Sequence, residues 1–166
     1  MQENTTHPVD PADVVRAYAE AKSRADVPAS LAYCRPDVVF ETVAFQAVAR
    51  GTEEARRQFT AFLGAFPDYR VELEYLHQAG GRVAGAGTIG ATMKGPLAGI
   101  EPTGRSYTLP FACHWTVRDG LIAHERFFFD FHQMCRQLGL STERAGARFE
   151  EWRRRAAAHE SEGAAF

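Results

Sequence analysis

The sequence predicts an α+β fold: a cone-shaped, curved antiparallel sheet wrapped on N-terminal helices. Two observations predict it. Helical periodicity of apolar residues fills the first third of the chain and returns only after residue 130. Between them lies a run of alternating segments, 69–78, 82–93, 106–117 and 121–129, joined partly by the tight turn pairs Gly80-Gly81 and Asp119-Gly120. With 166 residues and 18.4 kDa, the chain suits one ordinary core.

Residues 1–9 are polar and unpatterned and read as a flexible arm. Asp10 offers an N-cap, Pro11 suits the first helical position and Asp13 places negative charge in the first turn, so a helix is expected over about 11–24. Val14, Ala17, Tyr18 and Ala21 form its apolar stripe, which leaves Arg16, Glu20 and Lys22 mostly outside. Asp26 caps a second, short helix through Tyr33, and Pro36 ends it. The β-branched and aromatic run Val38 to Phe45 marks a first strand, closed by Gly51. Thr52 is then an N-cap, and Ala55, Phe59, Phe62, Leu63 and Phe66 recur at helical spacing as far as Pro67.

In the strand 106–117, Tyr107, Leu109, Phe111, Cys113, Trp115 and Val117 alternate with Thr108, Pro110, Ala112, His114 and Thr116. The small and polar set suits a cavity wall, which would place Tyr107, Leu109, Phe111 and Trp115 on the outer face. An apolar outer face is covered in water, so a homodimer through the sheet is expected. A short helix over 131–138 ends at Gly139, and Ala145, Phe149, Trp152 and Ala156 mark a C-terminal helix. The domain reading is an arm (1–9), a cone domain (10–140) and a helical extension (141–166).

Composition excludes several function classes. Nineteen Lys plus Arg against twenty-one Asp plus Glu supply no basic field for a phosphate backbone, so nucleic acid is not an expected partner. Mean hydropathy is -0.30 and no run has the roughly 18 apolar residues of a membrane span; with no leader pattern at the N-terminus, the address expected is cytoplasmic. Cys34, Cys113 and Cys135 are widely spaced among apolar neighbours and read as buried free thiols. No metal or nucleotide-cofactor spacing occurs; Gly85-Ala86-Gly87 lies inside a strand.

An ordered set of landmarks carries a family resemblance: Pro36-Asp37-Val38-Val39-Phe40, Arg50-Gly51-Thr52, Phe66-Pro67-Asp68, Gly95-Pro96, Pro102-Thr103-Gly104, Asp119-Gly120-Leu121-Ile122, Asp130 and Gln137-Leu138-Gly139. In this order the chain resembles the SnoaL-like polyketide cyclases of the nuclear-transport-factor-two-like superfamily, over roughly residues 10–140. The resemblance implies a cone fold with a hydrophobic cavity and a cofactor-independent cyclase of secondary metabolism. It places the acid/base at Asp130 and a helping histidine at His114. Arg126 stands where the family commonly has tryptophan.

The residues themselves leave alternatives open. Asp130 is a carboxylate among phenylalanines, suited to proton transfer if buried, and equally an N-cap of the helix over 131–138; the two roles can coexist. His114 is a cavity residue or a half-buried sheet histidine. Arg126 is in phase with Ile122, His124, Phe128 and Asp130: facing inward it needs an anionic partner, whereas a bulge would turn it to solvent. His124 and His132 read as surface or rim. Tyr18, Tyr33, Phe40, Phe59, Phe62 and Phe128 are candidate cavity walls, though such stripes are often core alone. The function expected is acid/base chemistry on a hydrophobic, carbonyl-rich small molecule, most simply an intramolecular aldol. An isomerase, dehydratase, epoxide hydrolase or non-catalytic binding protein is the alternative on the same cavity.

Overall fold

The structure is a computed structural model that describes residues 9–163, with side chains through 157. The expected arm lies outside the described residues apart from Val9. Helix α1 (Pro11–Ser23) starts where the Asp10 carboxylate accepts the Ala12 N–H at 2.9 Å, and α2 (Val27–Ala32) starts where Asp26 accepts the Ala29 N–H at 2.9 Å. Helix α3 (Gly51–Ala65) begins one residue before the expected Thr52 cap. Gly51 takes the left-handed conformation (φ 77°), and Glu54 reaches back to the Arg50 N–H at 2.7 Å.

The expected first strand is two strands. Strand β1 (Cys34–Thr42) ends in a 3-10 turn, Val43–Phe45, and Gln46 in the left-handed region (φ 51°) reverses the chain into β2 (Ala47–Arg50), antiparallel to β1. Strands β3 (Arg70–Ala79), β4 (Arg82–Thr92), β5 (Ser106–Arg118) and β6 (Leu121–Phe129) follow as an antiparallel meander. The six-stranded order is β2-β1-β6-β5-β4-β3. Because β1 runs parallel to β6, the sheet is mixed, a correction to the wholly antiparallel expectation. Helices α4 (Phe131–Leu138) and α5 (Thr142–Gly163) close the chain. None of the described helices is long and apolar enough to cross a membrane.

Strand parity is opposite to the expectation. Tyr107, Leu109, Phe111, Cys113, Trp115 and Val117 are all buried on the concave face, whereas Thr108, Pro110, Ala112 and His114 are exposed on the convex face. The helices cover the face of large apolar groups because removing them from water contributes roughly 1.5–3 kcal/mol per side chain. The apolar residues that motivated a dimer through the outer face therefore sit in the monomer core. Strand β6 changes phase at a bulge: Val117 pairs with Ile122 and Thr116 with His124, which leaves Ala123 unpaired. Beyond it Glu125, Phe127 and Phe129 face inward, and His124, Arg126 and Phe128 face outward.

The β3–β4 pair curls at a second irregularity, between Leu73 and Tyr75. Opposite it the backbones approach so closely that a Cβ on Gly87 would lie 2.0 Å from the Glu72 carbonyl oxygen and 3.0 Å from the Leu73 Cα. Gly87→Ala is expected to cost about 1–3 kcal/mol, read as a lower urea midpoint; an unchanged midpoint would show that the two strands part without penalty.

Candidate active site

A cavity opens between α1, α3, α5 and the concave face of the sheet. Its walls are mostly aromatic. Phe40 comes from β1, Phe45 from the 3-10 turn, Phe59 and Phe62 from α3, Phe127 and Phe129 from β6, and Phe149 and Trp152 from α5. Phe45 and Phe149 stack with centroids 4.4 Å apart and planes 7° from parallel, and Arg153 of α5 donates to the Phe45 carbonyl at 2.7 Å. The C-terminal helix is therefore a wall of the cavity.

The polar groups on this wall are few and convergent. Lys22 lies one helical turn beyond Tyr18 on α1 and turns inward, its side chain 13% exposed. Its Nζ lies 4.8 Å from the centroid of Phe59, 5.2 Å from Tyr18, 5.7 Å from Phe127 and 6.0 Å from Tyr69. Facing it, Glu125 is 4% exposed. One carboxylate oxygen lies 3.8 Å from Lys22 Nζ, and the other accepts the Trp115 indole N–H at 2.8 Å. A carboxylate so far from water needs such partners, and the bulge at Ala123 is what turns it inward.

Neighbouring acids stay protonated. Burial first, and the Glu125 charge next, hold the Tyr18 phenol well above its ordinary value, and the Tyr18 hydroxyl is buried without a hydrogen-bond partner. Tyr69 is raised by burial and then by Tyr107 and Glu125. Cys113 is raised by burial and then by Glu125, and Cys34 is pushed up to about 12 by the same two causes, with Lys22 opposing in both thiols. All three cysteines are free and buried, as expected.

The residues singled out in the sequence fall into two groups. Phe40, Phe59 and Phe62 line the cavity, and Tyr18 lies buried beside it, stacked on Phe40 at 6.2 Å. Asp130, His114, Arg126 and Phe128 do not enter it. Asp130 is exposed and caps α4 by accepting the Gln133 N–H at 2.9 Å; of the two readings the sequence leaves open, the helix cap is the one the structure shows, and the burial that would suit a proton-transfer group is absent. His114 and Arg126 are register partners, as the tight turn implied, but on the convex face. Arg126 is 54% exposed, 3.4 Å from a Glu41 oxygen and 5.7 Å from the Phe128 ring; His114 is 6.0 Å from the same ring. Tyr33 ends α2, where its carbonyl accepts the Ile122 N–H at 2.8 Å, and takes no part in the cavity wall. His124 bonds Glu41 at 2.6 Å and His132 bonds Thr142 at 3.0 Å, both near the surface. Among the described residues, no group of three His, Cys, Asp or Glu side chains is placed to hold a metal ion.

Sequence reasoning missed both Lys22 and Glu125. Two signals were present. The stripe Val14, Tyr18, Lys22 keeps a four-residue step, and of the nineteen basic residues only Lys22 and Lys94 are lysines.

A family model described as SnoaL-like polyketide cyclase matches residues 12–138. No curated protein matches the chain. Among solved structures, a candidate SnoaL-like polyketide cyclase from Jannaschia sp. CCS1 superposes with a TM-score of 0.72 at 18% identity, covering 83% of this chain and 97% of that one. IdmH of Streptomyces antibioticus, a candidate polyketide cyclase, gives 0.68 at 25% identity over 79% and 99%. An LEH-like epoxide hydrolase from M. tuberculosis gives 0.64 at 20% identity over 77% and 88%. The family match ends at Leu138, so α5 with its Phe149 and Trp152 lies beyond it.

The buried acids set an alkaline limit on the fold. Tyr18, Tyr69, Cys34 and Cys113 keep their protons in the folded chain above the ordinary values of 10 and 9, at which the unfolded chain releases them. Above those values the unfolded state binds fewer protons, so stability is fully present below pH 9 and falls as pH rises toward the raised folded values. Denaturation midpoints should hold level up to that point and then decline, with the tyrosinate absorbance of Tyr18 and Tyr69 emerging together with unfolding. Full tyrosinate absorbance in an intact fold would contradict it.

Proposed function

The chain belongs to the SnoaL-like polyketide cyclase family, and from that premise we propose that it is an acid/base enzyme acting on a hydrophobic, carbonyl-bearing small molecule, with intramolecular aldol cyclisation of a polyketide-like substrate as its reaction. The observation that carries this reading is the Glu125–Lys22 pair inside an aromatic cavity. A proton alpha to a carbonyl is weakly acidic, so its removal needs a base beside the carbon and positive charge beside the oxygen. Glu125 is the base. Lys22 faces the oxygen on which negative charge develops, and the aromatic surroundings, less polarisable than water, strengthen that attraction. The enolate carbon then attacks a second carbonyl held against the ring walls, and the proton taken by Glu125 returns to the new alkoxide. Trp115 keeps one carboxylate oxygen engaged, which fixes the other toward Lys22.

Proton transfer of this kind also serves isomerisation and dehydration. A binding protein would use the same cavity and move no proton. Deuterium exchange alpha to the carbonyl of a bicyclic aryl ketone such as tetralone, followed by NMR in heavy water, separates these readings with no knowledge of the natural substrate. The protein should accelerate exchange, and Glu125→Gln, which keeps the side-chain shape and an oxygen for Trp115, should lower the rate on the order of 10² or more. Asp130→Asn, at an exposed helix cap outside the cavity lining, should leave it unchanged. Exchange lost with Asp130→Asn and kept with Glu125→Gln would return the acid/base role to Asp130, and no acceleration at all would favour the binding protein.

A further inference from the structure

We propose that Lys22 is also a nucleophile, which captures aldehyde or ketone ligands as a covalent imine at the cavity floor. The inference rests on the reading that the cavity takes carbonyl compounds, and it names a chemical step which that reading does not require.

The choice of cation is the first observation. The chain has seventeen arginines and two lysines, and among the described residues every ion pair made by an Arg or Lys side chain uses arginine except that of Lys22 with Glu125. For charge pairing alone a guanidinium serves better, because it binds a carboxylate through two parallel hydrogen bonds and loses less on leaving water. An amine differs in one chemical respect: once deprotonated it has a lone pair that adds to a carbonyl carbon. The single lysine ion pair is also the one inside the cavity. Lys94, the other lysine, is exposed.

Geometry supplies the rest. Nζ stands at the cavity wall with Phe59, Phe127, Tyr18 and Tyr69 around it, so an apolar carbonyl compound that enters meets the amine while its rings lie on aromatic surface. Glu125, 3.8 Å away, is the proton relay that imine formation needs. The lysine proton passes to Glu125; the nitrogen lone pair bonds to the carbonyl carbon as the C=O π pair moves to oxygen. After a proton passes from nitrogen to that oxygen, Glu125 returns its own proton to the hydroxyl. Water leaves as the nitrogen lone pair forms the C=N bond. The products are a protonated imine, one water and the carboxylate of Glu125, so the buried charge pair is restored with the iminium in place of the ammonium. Glu125 then lies beside the carbon whose proton the iminium has made acidic.

The test uses naphthaldehyde with the full-length protein, sodium cyanoborohydride to reduce any imine to a stable secondary amine, and peptide mass spectrometry to locate it. The adduct should accumulate at Lys22 on the order of tenfold faster than at Lys94 or the N-terminal amine. Lys22→Arg, which keeps the charge, should remove that adduct, and Glu125→Gln should slow its formation in a protein of unchanged circular dichroism. An adduct spread evenly over the three amines, or confined to Lys94 and the N-terminus, overturns the proposal. If Glu125-dependent deuterium exchange persists in that case, the acid/base reading stands and the imine alone is wrong. If trapping at Lys22 succeeds and exchange fails, the imine stands and the acid/base reading is wrong.

Discussion

Among the described residues one carboxylate, that of Glu125, sits inside a core built from phenylalanine, tyrosine and leucine, and much of the architecture answers to it. An isolated charge there is costly, and removing one partner from a buried pair costs about 3–5 kcal/mol. The carboxylate therefore requires Trp115 from the adjacent strand and Lys22 from the first helix. That requirement ties α1 to β6 and fixes the helix rotation so that the face carrying Tyr18 and Lys22 looks at the sheet. The same charge, with burial, keeps Tyr18, Tyr69, Cys34 and Cys113 in their neutral forms, so the site presents one anion and one cation against otherwise uncharged walls.

Around this floor the aromatic residues pack in two sets, Tyr18–Phe40–Phe59 and a larger one that includes Phe62, Phe127 and Phe149. Phe45 is the hub: it stacks on Phe149, meets Phe129 edge-on at 5.3 Å and Phe131 at 6.0 Å, and is hydrogen-bonded through its carbonyl to Arg153. It holds that position because the chain reverses at Gln46 between β1 and β2. Helix α5 thus joins the cavity through one turn of backbone and one stacked pair, and it is the part of the wall that the family match does not cover. Lys22 and Glu125 lie within the matched residues, and α5, beyond them, adds Phe149 and Trp152 to the wall.

Much of the fold was legible because local and global preferences agree. Asp10, Asp26, Asp130 and Gly139 all act at the helix ends their chemistry suggests, and the α3 stripe Ala55, Phe59, Phe62, Leu63 faces inward as its spacing requires. The site was not legible, for three physical reasons. The alternation in β5 gives two faces but not which one is inside: small residues suit a cavity wall, yet the helices bury the larger apolar area. In β6 the bulge at Ala123 breaks the phase between Ile122 and Phe128, an insertion that period-two reading cannot detect. Lys22 continues an apolar helical stripe, and a charged residue in that place is ordinarily assigned to solvent. The family landmark at Asp130 then drew attention to the end of β6, whereas the buried carboxylate lies five residues earlier.

The central claim is that chemistry occurs at the Glu125–Lys22 floor of the cavity and not on the convex face around His114 and Arg126 or at the α4 cap Asp130. A crystal structure with a bound aromatic phenolate, whose charged oxygen mimics an enolate, tests this most directly. The account predicts density for the rings between Phe40, Phe59 and Phe127, with the phenolate oxygen within hydrogen-bond distance of Lys22 Nζ. A phenolate seated beside His114 and Arg126, with the cavity unentered, would contradict it.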